Sequence, residues 1–336
     1  MIKAYAVQER GAKLTAFEYD PGELGNNEVE IAVEHCGICQ SDISMIDNDW
    51  GFSLYPLVPG HEVIGTIVAA GSQVTHLSIG QRVGLGWQAG ACMGCGSCMS
   101  GDHNLCPSRQ QTILGGHHGG FADRVRTQSE FAIPLPSTLD PASAGPLLCG
   151  GITVFNPLLQ LNVKPTDRVG VIGIGGLGHL ALGFLNAWGC EVTAFSSSSD
   201  KKDEAMRLGA THFVDSTDSD ALSAISGTLD FILSTVNVAL DWNSYLGALT
   251  PKGRLHMVGV TAEPVSVSSP LLMAKQNSLS ASPVGSPANI ATMLEFAARH
   301  DIKPLVEKYS FSQINEAIER MRSGKARYRI VLSHDN

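Results

Sequence analysis

The sequence predicts an α/β protein of two domains, one mostly β and one built on a doubly wound parallel sheet. Three observations carry this. The chain has 336 residues, more than a single ordinary domain needs. Its first part is a succession of glycine turns and short apolar runs. Its centre alternates strand-like runs with helical patterns, which is the mark of βαβ units.

Taken in order, the runs at 29–33, 63–69 and 82–85 read as short strands, so residues 1–149 are expected to be mostly β. After Thr166 and Asp167 comes a buried-looking run from Val169 to Ile172, then glycines, then an apolar helical pattern through Leu177, Leu180, Ala181, Phe184, Leu185 and Trp188. Further apolar runs at 192–195, 231–233 and 255–258 alternate with helical stretches at 201–208 and 241–249. Residues 150–287 are therefore assigned to the parallel-sheet domain. Helices at 290–299 and 312–321 and a last strand at 329–333 follow, and residues 288–336 are placed back on the first domain.

Hydrophobic residues make up 43% of the chain and charged residues 16%, the balance of a globular protein, and no apolar run is long enough to cross a bilayer. A net charge of −9 repels phosphate backbones and anionic lipids, so nucleic acid and membrane partners are not expected and small molecules are. The N-terminal residues alternate like a strand and lack a signal peptide's apolar centre, which points to the cytoplasm. In a reducing compartment a tight cluster among eight cysteines reads as metal ligation rather than as disulfides.

Cys92, Cys95, Cys98 and Cys106 follow a two, two, seven spacing within a glycine-rich stretch. Four thiolates with no free position describe a structural zinc site. The rival is an iron–sulfur cluster, whose cysteines also start two residues apart and whose last is followed by a proline, as Pro107 follows Cys106 here. Seven residues rather than three before the last cysteine favour zinc.

Gly173, Gly175, Gly176, Leu177 and Gly178 follow a strand pattern and open a helix, the context in which a glycine motif binds a dinucleotide. The glycines let the backbone approach a pyrophosphate held at the positive end of the helix. Thr235 and Val258, at the ends of the later apolar runs, are assigned to the same cofactor site. An NAD-specific site would carry a carboxylate at the end of the second strand. Ser196, Ser197 and Ser198 stand there instead, and their hydroxyls together with Lys201 suit the extra phosphate of NADP; Asp200 leaves NAD open if that strand runs longer.

The segments around Cys39, Ser41 and Asp42, around His61 and Glu62, and around Cys149, with the four-cysteine stretch, the glycine motif and the closing Arg327-Tyr328-Arg329, resemble the zinc-dependent medium-chain alcohol dehydrogenases. The resemblance spans nearly the whole chain and is strongest to their cinnamyl alcohol dehydrogenase branch. It implies a GroES-like catalytic domain, a Rossmann cofactor domain, two zinc ions per chain and a homodimer paired through the edge strand within 265–283. It makes Cys39, His61 and Cys149 the ligands of a catalytic zinc, an arrangement that comes with the family and not from the spacing. Glu62 would lie behind that metal as a transient ligand, Asp42 would accept a hydrogen bond from the far nitrogen of His61, and Ser41 would hand the substrate proton outward. Trp50, Trp87 and Pro283 would line the substrate channel.

What the family does is move hydride between a nicotinamide cofactor and a primary alcohol or its aldehyde. Two departures qualify that expectation for this chain. Ser44 stands where many relatives carry a histidine that ends the proton path, and a serine cannot act as a base there. Pro283 replaces a phenylalanine of the plant enzymes, and the stretch from Cys106 to Gly119 is shorter, so a broad pocket for aromatic and aliphatic aldehydes is expected rather than a strict cinnamyl one. A polyol or secondary-alcohol dehydrogenase and a non-catalytic NADPH-binding relative remain as alternatives.

Overall fold

The computed structural model describes residues 1–261 and 263–334, and the chain divides into two compact units. The first comprises Met1–Ile152 with the chain from Gly285 onward, and the second is Thr153–Val284.

In the first unit β1 (Ile2–Ala6) pairs antiparallel with β2 (Thr15–Tyr19), apart from the main sheet. The main sheet centres on the long strand β3 (Glu28–Ile38), which pairs antiparallel with β4 (Val63–Ala70). β4 pairs with β5 (Arg82–Leu85), and a small ribbon of β6 (Gln88–Gly90) and β7 (Gln110–Gln111) follows. β8 (Arg124–Gln128) returns to β3, and β9 (Ile133–Pro134) closes on β5. The core beneath consists of fully buried β-branched and aromatic residues such as Val29, Ile31, Val63, Ile67, Phe121 and Val125, the residue types that pack a pleated surface.

In the second unit every ladder is parallel. β10 (Arg168–Ile172) lies between β11 (Glu191–Ser196) and β13 (Leu229–Ser234); β12 (His212–Asp215) lies outside β11, and β14 (Leu249–Met257) and β15 (Ser278–Ala281) continue beyond β13. Counted from β10, that order is 3-2-1-4-5-6, the Rossmann order, which puts the switch point between β10 and β13. Strands buried on both faces, such as Val169 to Ile172 and Val192 to Phe195, explain why their apolar runs do not alternate.

The chain from Gly285 onward adds β16 (Val306–Ser310) and β17 (Arg329–Ser333) to the first unit's main sheet, β17 antiparallel to β3. Several boundaries differ from the sequence reading. The helix expected at 290–299 begins at Pro287, capped by the Ser286 side chain, with proline in the first turn where its missing N–H costs nothing. The stretch at 201–208 splits into a 3-10 turn at Ser199–Lys201 and a helix at Lys202–Arg207. Leu249 opens β14 rather than closing a helix. β16 was not anticipated, because its half-buried Val-Glu-Lys-Tyr-Ser pattern contains no apolar run. Among the described residues no single helix is long and apolar enough to cross a membrane.

Candidate active site

Three segments of the first unit bring metal-binding side chains to one buried point. Cys39 follows β3 directly and caps the helix Gln40–Ile46, while His61 and Glu62 lead into β4, which is hydrogen-bonded to β3. Cys149 ends the 3-10 turn Gly145–Leu148. Residues 88 and 110 positions apart thereby meet: the Cys39 and Cys149 sulfurs are 3.9 Å apart, and His61 Nε2 lies 3.3 Å from the Cys149 sulfur. One donor atom from each of Cys39, His61, Glu62 and Cys149 lies within 4.8 Å of every other, and all four residues are buried.

Zinc fits this set. Tetrahedral coordination at ordinary Zn–S and Zn–N lengths needs sulfurs about 3.8 Å apart and sulfur and nitrogen about 3.5 Å apart, close to what is seen. Two thiols and an imidazole fill three positions and leave the fourth for water, substrate or the Glu62 carboxylate.

Asp42 organises the imidazole. Its fully buried carboxylate accepts hydrogen bonds from His61 Nδ1 at 2.9 Å, from the Gly60 N–H at 2.9 Å and from the Cys39 N–H at 2.8 Å. With Nδ1 committed to a carboxylate, Nε2 faces the sulfurs as the free donor. Burial opposes charge on the imidazole, but Asp42 and Cys39 together outweigh it and hold the His61 pKa well above the usual value when no metal takes the Nε2 lone pair. Burial also pushes Glu62 up to about 7 against the pull of the Arg329 guanidinium. Glu62 Oε1 is ion-paired with Arg329, which β17 brings alongside β3. Arg329 has no assigned role in the sequence reading; the available signal is an arginine directly before the apolar run Ile330-Val331-Leu332.

An apolar wall stands beside the donors. The Trp87 ring meets His61 edge-on at 4.8 Å, and Trp50 meets Trp87 edge-on at 6.2 Å. Both indoles pack on buried Met45, Leu57 and Ile113. Ser41 is half-buried in the first turn after Cys39, and Ser44 is buried one turn on. Pro283 belongs to the second unit, is exposed and follows β15.

The four-cysteine lobe forms a second donor cluster. Sulfur separations run from 3.5 Å for Cys92 and Cys106, through 3.6 Å for Cys95 and Cys98, to 4.0 Å for Cys92 and Cys98. Backbone N–H groups of Cys95 and Cys92 donate to the Cys92 and Cys106 sulfurs, as thiolate ligands require. Those spacings again match one tetrahedral zinc ion.

In the second unit the glycine motif sits at the switch point. Gly173, at φ +87°, turns the chain out of β10, and the helix Gly178–Trp188 starts so close behind that a Cβ on Gly178 would overlap the Gly173 carbonyl oxygen. Gly175 faces open space, and Leu177 is the N-cap position, so the first N–H groups of the helix lie behind an unobstructed loop. Thr235 Oγ1 donates to the carbonyls of Ile172 and Gly173 and ties the end of β13 to the loop; the Val258 N–H donates to Ser234 just past β14. β11 ends at Ser196, whose buried hydroxyl bonds the Ser198 backbone. Ser197 is exposed, Ser198 half-buried, and Asp200 exposed in the following turn. Lys201 Nζ donates to the Ile174 carbonyl at 2.8 Å, so the cation stands beside the glycine loop, a contact the sequence does not reveal.

Comparison with known proteins agrees with this geometry. Residues 25–137 match the family model of the alcohol dehydrogenase GroES-like domain, and residues 176–299 match that of the zinc-binding dehydrogenases. The chain is 61% identical to the aldehyde reductase AdhA of Synechocystis sp., covering 99% of both proteins. It is 35% identical to a cinnamyl alcohol dehydrogenase of Sorghum bicolor, with a TM-score of 0.95 over 99% of this chain and 97% of that one. A cinnamyl alcohol dehydrogenase of Helicobacter pylori solved with NADP(H) is 28% identical, with a TM-score of 0.91 over the same shares. The chain thus belongs to the zinc-dependent medium-chain alcohol dehydrogenases, in the branch that resembles the cinnamyl alcohol dehydrogenases.

Proposed function

We propose that the protein interconverts aldehydes and primary alcohols, with NADP(H) as hydride carrier and zinc held by Cys39, His61 and Cys149. The observation that carries this is the convergence of those three donors, with Asp42 fixing the imidazole, on one buried point that has a fourth position to spare. Zinc at that point supplies Lewis-acid chemistry, acidifying a substrate hydroxyl in one direction and drawing electrons from an aldehyde oxygen in the other. The chain does the rest. Trp87 and Trp50 offer an apolar surface to an aromatic or aliphatic substrate tail and keep water from the donors, Ser41 passes the substrate proton outward, and Cys92, Cys95, Cys98 and Cys106 hold a second, structural zinc.

NADP(H) is favoured because β11 ends in serines, not in a carboxylate, and because Lys201 stands by the glycine loop. The complex of the Helicobacter pylori relative with NADP(H) points the same way. Broad use of aromatic and aliphatic aldehydes fits the apolar faces of Trp50 and Trp87, and we read the protein as a cytoplasmic homodimer.

Zinc analysis of purified protein together with NADPH oxidation on aldehydes from butanal to cinnamaldehyde tests the proposal. Two zinc ions per chain and turnover across the series, faster with NADPH than with NADH, are expected. One zinc per chain with no turnover would leave a protein carrying only the structural site.

A further inference from the structure

We propose that Gly37 is a positioning residue that keeps the Glu62 carboxylate out of the coordination position a substrate needs. The inference rests on the metal reading of Cys39, His61 and Cys149 and extends it to the fourth position.

Glu62 is fully buried, and its two carboxylate oxygens are held differently. Oε1 is paired with Arg329, while among the described residues Oε2 has no hydrogen-bond partner. An unpartnered carboxylate oxygen in the interior is costly. Hydrogen bonding therefore does not hold Oε2 where it is. Shape does. Oε2 lies over the Cα of Gly37 on β3, in a hollow that a Cβ would fill: a methyl there would overlap Oε2 and come within 3.0 Å of Glu62 Cβ and Cδ.

The backbone of Glu62 is held on both sides against such a clash. Its carbonyl accepts the Gly37 N–H at 2.9 Å and is backed by Gly145, where a Cβ would approach to 2.6 Å. Only the end of the side chain can yield. One of its oxygens is already within 4.8 Å of the Cys39, His61 and Cys149 donor atoms, and a carboxylate is itself a zinc ligand. The carboxylate thus has two resting places, the hollow over Gly37 and the open position on the metal. Glycine at position 37 keeps the first available, so the second stays free for substrate.

The test replaces zinc with cobalt(II) and titrates imidazole, an inert ligand for the open position, following the cobalt visible spectrum. The four-thiolate lobe has no open position and stays silent. Wild type is expected to bind imidazole; Gly37→Ala is expected to bind it at least about tenfold more weakly, because a tethered carboxylate competes at millimolar effective concentration or higher. Gly37→Ala/Glu62→Ala is expected to recover wild-type affinity. In turnover, KM for aldehydes should rise in Gly37→Ala more than kcat falls.

Unchanged imidazole affinity in Gly37→Ala overturns the inference and leaves the metal reading standing, as does a loss that removing Glu62 does not restore. If Gly37→Ala does not fold, the double variant, which lacks the carboxylate overlap, must fold and bind imidazole as Glu62→Ala alone does, since both leave Arg329 without its partner; failure of the double variant where Glu62→Ala succeeds overturns the inference. A wild-type protein that takes up cobalt only in the lobe overturns the metal reading itself, and this inference with it.

Discussion

The two donor clusters of the first unit use the same chemistry and opposite architectures. Cys92 and Cys106 are 14 positions apart, with Cys95 and Cys98 between them, and one of the four sulfur residues is exposed. Cys39 and Cys149 are 110 positions apart, and all their neighbours in the cluster are buried. The lobe needs only a short loop to close around an ion, and the ion in turn organises the loop. The other cluster is positioned by β3, β4 and the turn before Cys149, elements tied together by the hydrogen bonds of the sheet. A preformed site with a spare position can do chemistry; a loop closed on four thiolates stabilises the fold.

The sharpest way to break this contrast is to remove one ligand from each cluster. Cys149→Ser should lower the zinc content from two per chain to one and abolish turnover, since losing a Lewis acid worth several kcal/mol corresponds to at least about a thousandfold in rate. Its thermal midpoint should stay close to wild type, because the sheet supports the site. Cys95→Ser should also cost one zinc, but its main effect should be on stability. Losing a few kcal/mol of metal-coupled folding lowers the midpoint by about 5 °C in a chain of this size, and turnover at low temperature should be reduced far less than in Cys149→Ser. Calorimetry and metal analysis on both variants decide the matter. Equal loss of turnover in the two would show that the lobe is not merely structural.

The same contrast explains what was legible from the residues. The lobe could be read from spacing alone because its geometry is local. The glycine motif could be read because a strand and a helix pattern flank it. Cys39, His61 and Cys149 have no such spacing, and only the resemblance to a family joined them before the sheet did. Arg329 and the hollow over Gly37 were not legible by either route. The contact between Arg329 and Glu62 depends on β17 returning beside β3 from 267 positions away, and no local pattern encodes that pairing. β16 was invisible for a different reason, since an edge position in the sheet tolerates a polar, half-buried sequence.

The smallest predicted effect probes how each cluster fixes its ligands. In the lobe, backbone N–H groups donate to the sulfurs, so no side-chain substitution outside the cysteines removes that support. In the buried cluster the support comes from side chains, Arg329 on Glu62 and Asp42 on the imidazole. Asp42→Asn is nearly isosteric, yet Asp42 accepts from three N–H groups, and an amide offers one oxygen and an NH2 that must face one of those donors. His61 and Gly60 share Oδ1 and Cys39 N–H alone uses Oδ2, so the amide oxygen keeps the first two donors and the NH2 faces the backbone of a zinc ligand, displacing Cys39, while the imidazole keeps a neutral and weaker acceptor. Zinc affinity of that site or turnover should fall by about 10- to 100-fold, while the lobe zinc and the thermal midpoint change little. Competition with a chelator, read separately for the two zinc ions, measures the difference. Equal weakening of both ions would mean that Asp42 supports the fold of the whole unit rather than one imidazole.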